Sequence, residues 1–466
     1  MYVTLDNGTK VECDDNFFAE GGEGQIFWDK AGTHVIKLYT RVEPTREETL
    51  RQIVGQKYNV VLNEPHWRRL FAWPEAIISQ PRLGITMQRI KGTDLLWFLY
   101  PKSRQAYAAR NGPAKLGKWQ NYVQMAIKMA QVVSRMHLRG LCHSDLSFKN
   151  FMGDPSTDSV VLLDCDSLVV PGIIPPKVLG TPLCMAPELA SQLTGGPPVE
   201  PTVWTDLHAL ATLIYWLLLQ RHPLIGPKQH DQDPALSEAL ALGSKALFIE
   251  DPKDRSNQRR DLPPRLSYHA MLTPAVADLV HKSFIDGLHN PAARPLAGKW
   301  EQAIKRMLDA LVPCDNPTCP MGNFVLNPEL SGPAQCACGR PLNSPPVLPI
   351  FSFYKPWQGR VGQYKNDEDY FMVGWPERIF HEWHSTVADT GPIQDEKPKA
   401  KVTYERASGK WHILNMDFGE MCMLDSLEGH QQIRPGQKVE IRHGSNLLFG
   451  PPGQCRMAHV QMKKMQ

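Results

Sequence analysis

The stretch His143-Ser144-Asp145-Leu146-Ser147-Phe148-Lys149-Asn150 constrains this chain more than any other part of it. It sets an Asp and an Asn in a polar loop between two apolar segments. Shortly afterwards, Val160-Val161-Leu162-Leu163-Asp164-Cys165-Asp166 reads as an apolar strand ending in a carboxylate. An Asp, an Asn and a second Asp at the ends of buried strands can orient a hydroxyl and hold Mg²⁺ on a nucleotide. The blander alternative is a polar turn that caps neighbouring strands, so the rest of the chain decides between them.

Upstream, Phe17 to Phe27 carries the cluster Gly21-Gly22-Glu23-Gly24, and Thr33 to Tyr39 follows as an alternating strand. Glycine is needed where backbone N–H groups approach phosphate oxygens without a Cβ in the way. Lys37 shares a strand face with Val35 and Tyr39 beneath that turn. Glu43 to Tyr58 reads as a helix, with Pro44 near its start. Glu47 shares a face with Leu50 and Val54 and points inward, whereas Glu48 falls on another face. Which of the two glutamates pairs with Lys37 stays open at this level. Trp73 to Gly92 gives two more strands, and Leu95 to Tyr100 starts a helix. Trp119 to Leu138 is a long amphipathic helix with Val123, Ile127, Ala130, Val133 and Met136 on one stripe.

Downstream come Leu179 to Glu188, containing Ala186-Pro187-Glu188, and an apolar helix capped by Trp204-Thr205-Asp206 that runs through Leu219. Further helices are expected around Ala235–Leu242, Thr273–Phe284 and Gly298–Leu311, with Arg294-Pro295 before the last.

In type and in order these parts resemble the eukaryotic-type (Hanks-type) Ser/Thr protein kinase superfamily, over roughly residues 10 to 312. The resemblance implies a bilobal α+β domain over residues 1–312, with an N-lobe to about residue 92 and a C-lobe beyond it. It also implies transfer of the γ-phosphoryl of ATP to a protein hydroxyl, with Mg²⁺ or Mn²⁺. Gly22 and Gly24 would lie over the phosphates, and Lys37 would contact them and pair with Glu47. Met87 would back the adenine pocket, and the backbone of Gln88 to Ile90 would meet the adenine edge. Asp145 would accept the hydroxyl proton, and Asn150 and Asp164 would hold the metal. Glu188 and Arg294 would pair structurally, and Asp206 would brace the catalytic loop.

The departures are specific. Ser144 replaces the usual arginine, which puts control by activation-loop phosphorylation in doubt. Ser147 replaces the usual lysine after Asp145, and Lys149 is the cation that would stand near the transferring phosphate. Phe27 stands at the third loop glycine. The triplet Asp164-Cys165-Asp166 ends in Asp where the family has Gly, and one reading has Asp166 join the metal site. "H-S-D-L-S-F-K-N" with "D-C-D" is also similar to bacterial kinases of tellurite-resistance and stress-response clusters. Those stand beside a von Willebrand A-type protein and a PP2C-type phosphatase, which the resemblance offers as partners. The alternative function is a catalytically weak, nucleotide-binding scaffold of such a complex.

Cys314, Cys319, Cys336 and Cys338 form two close pairs in a short polar segment, residues 313–342. Four thiolates can close a tetrahedral Zn²⁺ site with no open position, the pattern of a structural zinc ribbon. After the Pro-rich linker Leu342 to Pro349, residues 350–466 change character. Short strand-like runs such as Lys410 to Asn415 and Lys438 to Ile441 alternate with Gly and Pro turns, an all-β signature. "K-W-x-I-x-N" and the "R-P-G-Q-x-V-x-I" run resemble the later strands of a forkhead-associated (FHA) sandwich, which implies a protein-interaction module. Pro392 to Pro398 reads as an exposed loop, and Trp357, Trp375 and Trp383 as packing residues.

Composition adds bounds. With 466 residues, two or three domains are expected. A net charge of +3 argues for neither nucleic acid nor an anionic membrane. No run is long enough to span a bilayer, and the start of the chain lacks a basic, apolar leader, so a reduced cytoplasmic protein is expected.

Overall fold

The computed structural model describes residues 1–43, 45–55, 64–170, 180–328, 335–342, 345–360, 362–387, 397–425 and 429–464. Pro44, the helix end expected through Tyr58, Leu179 and most of the Pro392–Pro398 loop lie outside them. The chain is mixed α and β, with several sheets, in two compact units. The first comprises Met1–Gly117, Asn121–Pro263 and Asp278–Glu301, and the second Lys118–Gln120, Pro264–Ala277 and Gln302–Gln466. Among the described residues, no helix is long and apolar enough to cross a membrane.

The first unit begins with strands β1 (Tyr2–Leu5), β2 (Lys10–Glu12), β3 (Ala19–Glu20), β4 (Gly24–Trp28), β5 (His34–Tyr39), β6 (Pro74–Gln80) and β7 (Gly84–Gln88). They form one antiparallel sheet in the order β2-β1-β6-β7-β5-β4-β3. Helix α1 (Arg46–Val54) is shorter than the sequence suggested and stops at Gly55. Leu50 from α1 packs with Tyr39, Ile77 and Ile85 of the sheet, so the helix covers the face that carries Lys37.

Helix α2 (Trp119–His137) buries Val123, Ile127, Ala130, Val133 and Met136, the stripe expected from their spacing. Beyond its end, Cys142 pairs with Val169 as an isolated bridge. A small sheet then holds β8 (Thr93–Asp94), β9 (Phe151–Asp154) and β10 (Ser159–Leu162). In the antiparallel β9–β10 hairpin Phe151 pairs with Leu162, so the polar loop before β9 and Asp164 after β10 lie at the same end. Helix α3 (Val203–Leu219) starts with a reciprocal Thr202–Thr205 cap and is buried nearly all round. That explains its continuous apolar sequence better than a membrane span does.

The second unit opens with the strand pair β11 (Leu311–Pro313) and β12 (Asn323–Val325). Two larger sheets follow. One contains β13 (Val347–Pro356), β14 (Tyr364–Val373), β18 (Met421–Asp425), β19 (Gly429–Ile433), β21 (Asn446–Leu448) and β22 (Met457–Lys464); the other contains β15 (Ile379–Phe380), β16 (Ala400–Glu405), β17 (Lys410–Asn415) and β20 (Lys438–Ile441). Residues of both sheets, including Phe351, Val460, Val402 and Ile413, share one apolar core, as two packed sheets must. The end of the helix Ala297–Asp309 belongs to this unit: Asp309 accepts hydrogen bonds from Tyr370 (2.6 Å) and pairs with His384 (3.2 Å). Segments 264–277 and 302–312, expected to close the first domain, therefore group with the second unit. Asn415 of the "K-W-x-I-x-N" run is buried, donating to Phe418 O and Ile433 O and accepting from Phe418 N. Trp375 and Trp383 pack on the core, whereas Trp357 is 40% exposed with Arg360 over its ring.

Candidate functional site

The polar loop is fixed from beneath by α3. Asp206, at the helix start and almost wholly buried, accepts from the backbone N–H groups of His143 (2.7 Å) and Ser144 (3.1 Å). Those two bonds stabilise a sharp turn in which Ser144 takes φ +64°. The His143 ring reaches Leu163 O at 2.9 Å, and Leu163 N–H donates to Asn150 O at 2.8 Å. The loop and the residue before Asp164 are thus tied at two points. Asn150 Nδ2 donates to Asp145 Oδ2 at 3.0 Å and to Asp145 O at 2.8 Å, while Thr181 Oγ1 donates to Asp145 Oδ1 at 2.7 Å. Lys149, in contrast, points to solvent.

Lys37 on β5 meets this loop region through three carboxylates. Its Nζ donates to Asp166 Oδ2 at 2.9 Å, Asp164 Oδ1 at 3.3 Å and Glu23 Oε2 at 3.3 Å. Asp166 Oδ2 also accepts from Arg46 Nη2 at 2.7 Å and Tyr39 OH at 2.5 Å. Arg46 Nη2 in turn reaches Glu23 Oε2 at 2.9 Å. Burial alone would push the Asp166 carboxyl up. The nearby Lys37 and Arg46 charges and the Tyr39 hydroxyl outweigh it and hold that carboxyl well below the usual range. Burial likewise disfavours the Lys37 ammonium, but Asp166, Asp164 and Glu23 together raise it above its ordinary value. Among the described residues, carboxylate oxygens of Glu23, Asp164 and Asp166 lie within 4.8 Å of one another here, close enough to hold a metal ion.

The expected pair of Lys37 with Glu47 is corrected. Glu47 is exposed and binds Arg51 one turn on at 2.6 Å, and Glu48 accepts from Gln52 at 3.2 Å. Arg46, Leu50 and Ile53 form the buried stripe of α1 at spacing i, i+4, i+7. That register turns Glu47 about 100° away from the sheet. The sequence was ambiguous here because both Arg46 and Glu47 lie within a turn of Leu50, and reading the arginine as an inward residue needed a buried carboxylate to meet it.

The glycines also differ from one another. Gly22 is exposed with open space around it, whereas Gly24 lies within β4 opposite Tyr39. A Cβ on Gly24 would sit 2.4 Å from Leu38 O, so close strand approach is what requires glycine there. Met87 on β7 packs with Tyr39, Leu50 and Ile85, Gln88 is the exposed last residue of that strand, and Ile90 follows it half-buried. Glu188 and Arg294 form a two-pronged ion pair, 2.7 and 2.8 Å, with the arginine buried. Sequence reasoning missed Glu23, Tyr39, Arg46 and Thr181, and underweighted Asp166. Only the placement of Tyr39 on the Lys37 face was a signal.

In the second unit Cys314, Cys319, Cys336 and Cys338 are free thiols, and their sulfur atoms lie within 4.8 Å of one another. Cys314 and Cys338 Sγ are 3.6 Å apart, and Cys319 and Cys336 Sγ 3.7 Å. A tetrahedral zinc with Zn–S near 2.3 Å needs sulfur separations of about 3.8 Å, so the cluster is compatible with a structural zinc. No protein-family model matches the chain, and no curated protein sequence does either.

Proposed function

We propose that the first unit is an ATP-dependent phosphotransferase of protein-kinase type, acting on a protein hydroxyl. The observation that carries this reading is convergence: Asp145 and Asn150 from the loop, Asp164 from the end of the hairpin and Lys37 from the sheet stand in one connected set. Asp145, oriented by Asn150 and Thr181, is suited to accept a proton from an attacking hydroxyl. Asn150 and Asp164 would hold Mg²⁺, whose charge, when bound, offsets that of the phosphates. Lys37 is a fixed cation for phosphate oxygens, and the rigid brace at Asp206 keeps Asp145 in place.

In the second unit the two sheets fit a partner-binding module, for which the FHA-like runs and the phosphatase and von Willebrand A-type partners remain our proposal. Cys314, Cys319, Cys336 and Cys338 would hold a structural zinc there. Metal analysis of the purified protein should find close to one zinc per chain, and none after Cys336→Ser.

Radiolabelled ATP transfer with wild type and Asp145→Ala tests the main reading. Loss of a position-bound general base lowers the rate by about 10²–10⁴-fold. Equal incorporation by both proteins would refute it. A second reading, a nucleotide-binding scaffold with weak catalysis, draws support from the exposed Glu47 and from Lys37 being engaged by carboxylates. It predicts Mg-ATP binding by thermal shift with a cellular role that survives Asp145→Ala.

A further inference from the structure

The outward turn of Glu47 removes the partner that the family resemblance assigned to Lys37, yet the lysine is not left loose. Of its three carboxylates, the Asp164 and Glu23 side chains are 38% and 36% exposed, and that of Asp166 is 2% exposed. The two exposed ones can exchange toward solvent or toward a cation. Asp166 cannot leave without abandoning Arg46 and Tyr39, both of which meet the same oxygen, Oδ2. Arg46 is in turn held by Glu23 and Ser167 and is only 1% exposed. Tyr39 presents its ring to the guanidinium, 4.3 Å from its centroid.

A carboxylate that is buried, multiply bonded and anchored by an arginine is a fixed point, and a lysine bonded to it inherits that fixity. The glycine expected after the metal-binding Asp would offer no side chain for this. An aspartate there supplies the anion from the strand end, and the helix can then present a cation in place of an anion.

We propose that Asp166 and Arg46 are positioning residues for Lys37, the Asp166 carboxylate taking over from within the D-C-D triplet the task expected of the helix glutamate. The proposal rests on the phosphotransferase reading for its catalytic consequence, but the positioning itself is independent of it. Arg46 neutralises Asp166 and locks α1 to the triplet. Lys37 is then presented to nucleotide phosphates from a carboxylate on the β10 side of the site.

The test uses the full-length protein and two readouts. The first is acylation of Lys37 by an amine-reactive ester, followed by peptide mass spectrometry. The second is steady-state phosphotransfer with KM for Mg-ATP and kcat resolved. Asp166→Asn should raise Lys37 labelling at least fivefold and lower kcat/KM at least tenfold. Arg46→Met should also lower kcat/KM, and Arg46→Lys should restore part of it. In a Lys37→Arg background, Asp166→Asn should change kcat/KM by less than threefold, because it acts through the lysine. Circular dichroism confirms that each variant is folded, and a variant that fails to fold is replaced by Asp166→Glu, which keeps the charge but displaces it and should give the same directions. An active wild type in which Asp166→Asn changes both readouts by less than twofold overturns the inference. Full multiplication of the Asp166 and Lys37 effects overturns it as well. An inactive wild type whose Lys37 labelling still rises in Asp166→Asn supports the positioning and refutes the phosphotransferase reading instead.

Discussion

Asp166 in the first unit and Asp367 in the second are both fully buried carboxylates bonded to a buried arginine, but their surroundings differ. Asp166 is bonded to Arg46, Lys37 and Tyr39, and next to it stand two further carboxylates with access to solvent, Asp164 and Glu23. Asp367 meets Arg456 at 2.6 Å, Lys355 at 2.9 Å and Arg306 at 3.5 Å. Cations surround it, and burial, which would push its carboxyl up, is outweighed by them so that it lies below the usual range. The second centre is therefore saturated with positive partners and behaves as a clamp between strands. The first sets Asp164 and Glu23, whose side chains reach solvent, beside the buried Asp166. The same ion-pair chemistry joins strands in one place and, in the other, ties a strand lysine to carboxylates that reach solvent.

The contrast can be broken most sharply at the clamp. Arg456→Met removes the shortest of the three ion pairs to Asp367 but leaves Lys355 and Arg306 beside it, so it should cost about 1–3 kcal/mol of stability in the second unit, read by denaturant unfolding. Phosphotransfer per folded molecule should stay within twofold. If activity fell in proportion, the two centres would not be separable in role.

A pH scan tests the first unit next. His222 is buried, its ring accepting from the N–H groups of Leu224 and Ile225 and meeting Leu183 O. Burial pushes it down to about 4, from 6.5 for a free ring. The unfolded chain thus binds a proton more readily between these values. Stability is complete above about pH 6.5 and declines as pH falls toward 4. At pH 5 the loss from this one ring is about 2 kcal/mol. Hydrogen exchange of α3 amides should report it, since Trp216 of that helix packs against the ring. His222→Asn should flatten that part of the profile.

The smallest effect is expected where the sequence pointed first. Glu47→Ala removes an exposed i,i+4 pair and should change stability by about 0.5 kcal/mol or less. Its ATP kinetics should match wild type. A tenfold loss of kcat/KM would restore Glu47 to the site and undo the contrast drawn between it and Arg46.

Much of the architecture was legible because it depends on local periodicity. The α2 stripe, the apolar α3, the alternating Lys410–Asn415 strand and the Cys pairs all follow from spacing along a single element. The loop around Asp145 was legible for a related reason, since its bond to Asn150 closes over a few residues. Element ends were less legible. The helix expected from Glu43 begins at Arg46, and the end of the helix Ala297–Asp309 is tied to β14 by the Asp309–Tyr370 bond, which only folding brings about.

The order of residues supplies the groups: a lysine on a strand, a loop with Asp and Asn, a strand-end Asp and four clustered thiols. Folding selects which of these groups meet. A turn of helix separates Arg46 from Leu50, and Glu47 is almost as near, so local pattern cannot choose between them. The choice is made by the buried Asp166, contributed from a hundred and twenty positions away, because a carboxylate out of water must find a cation there.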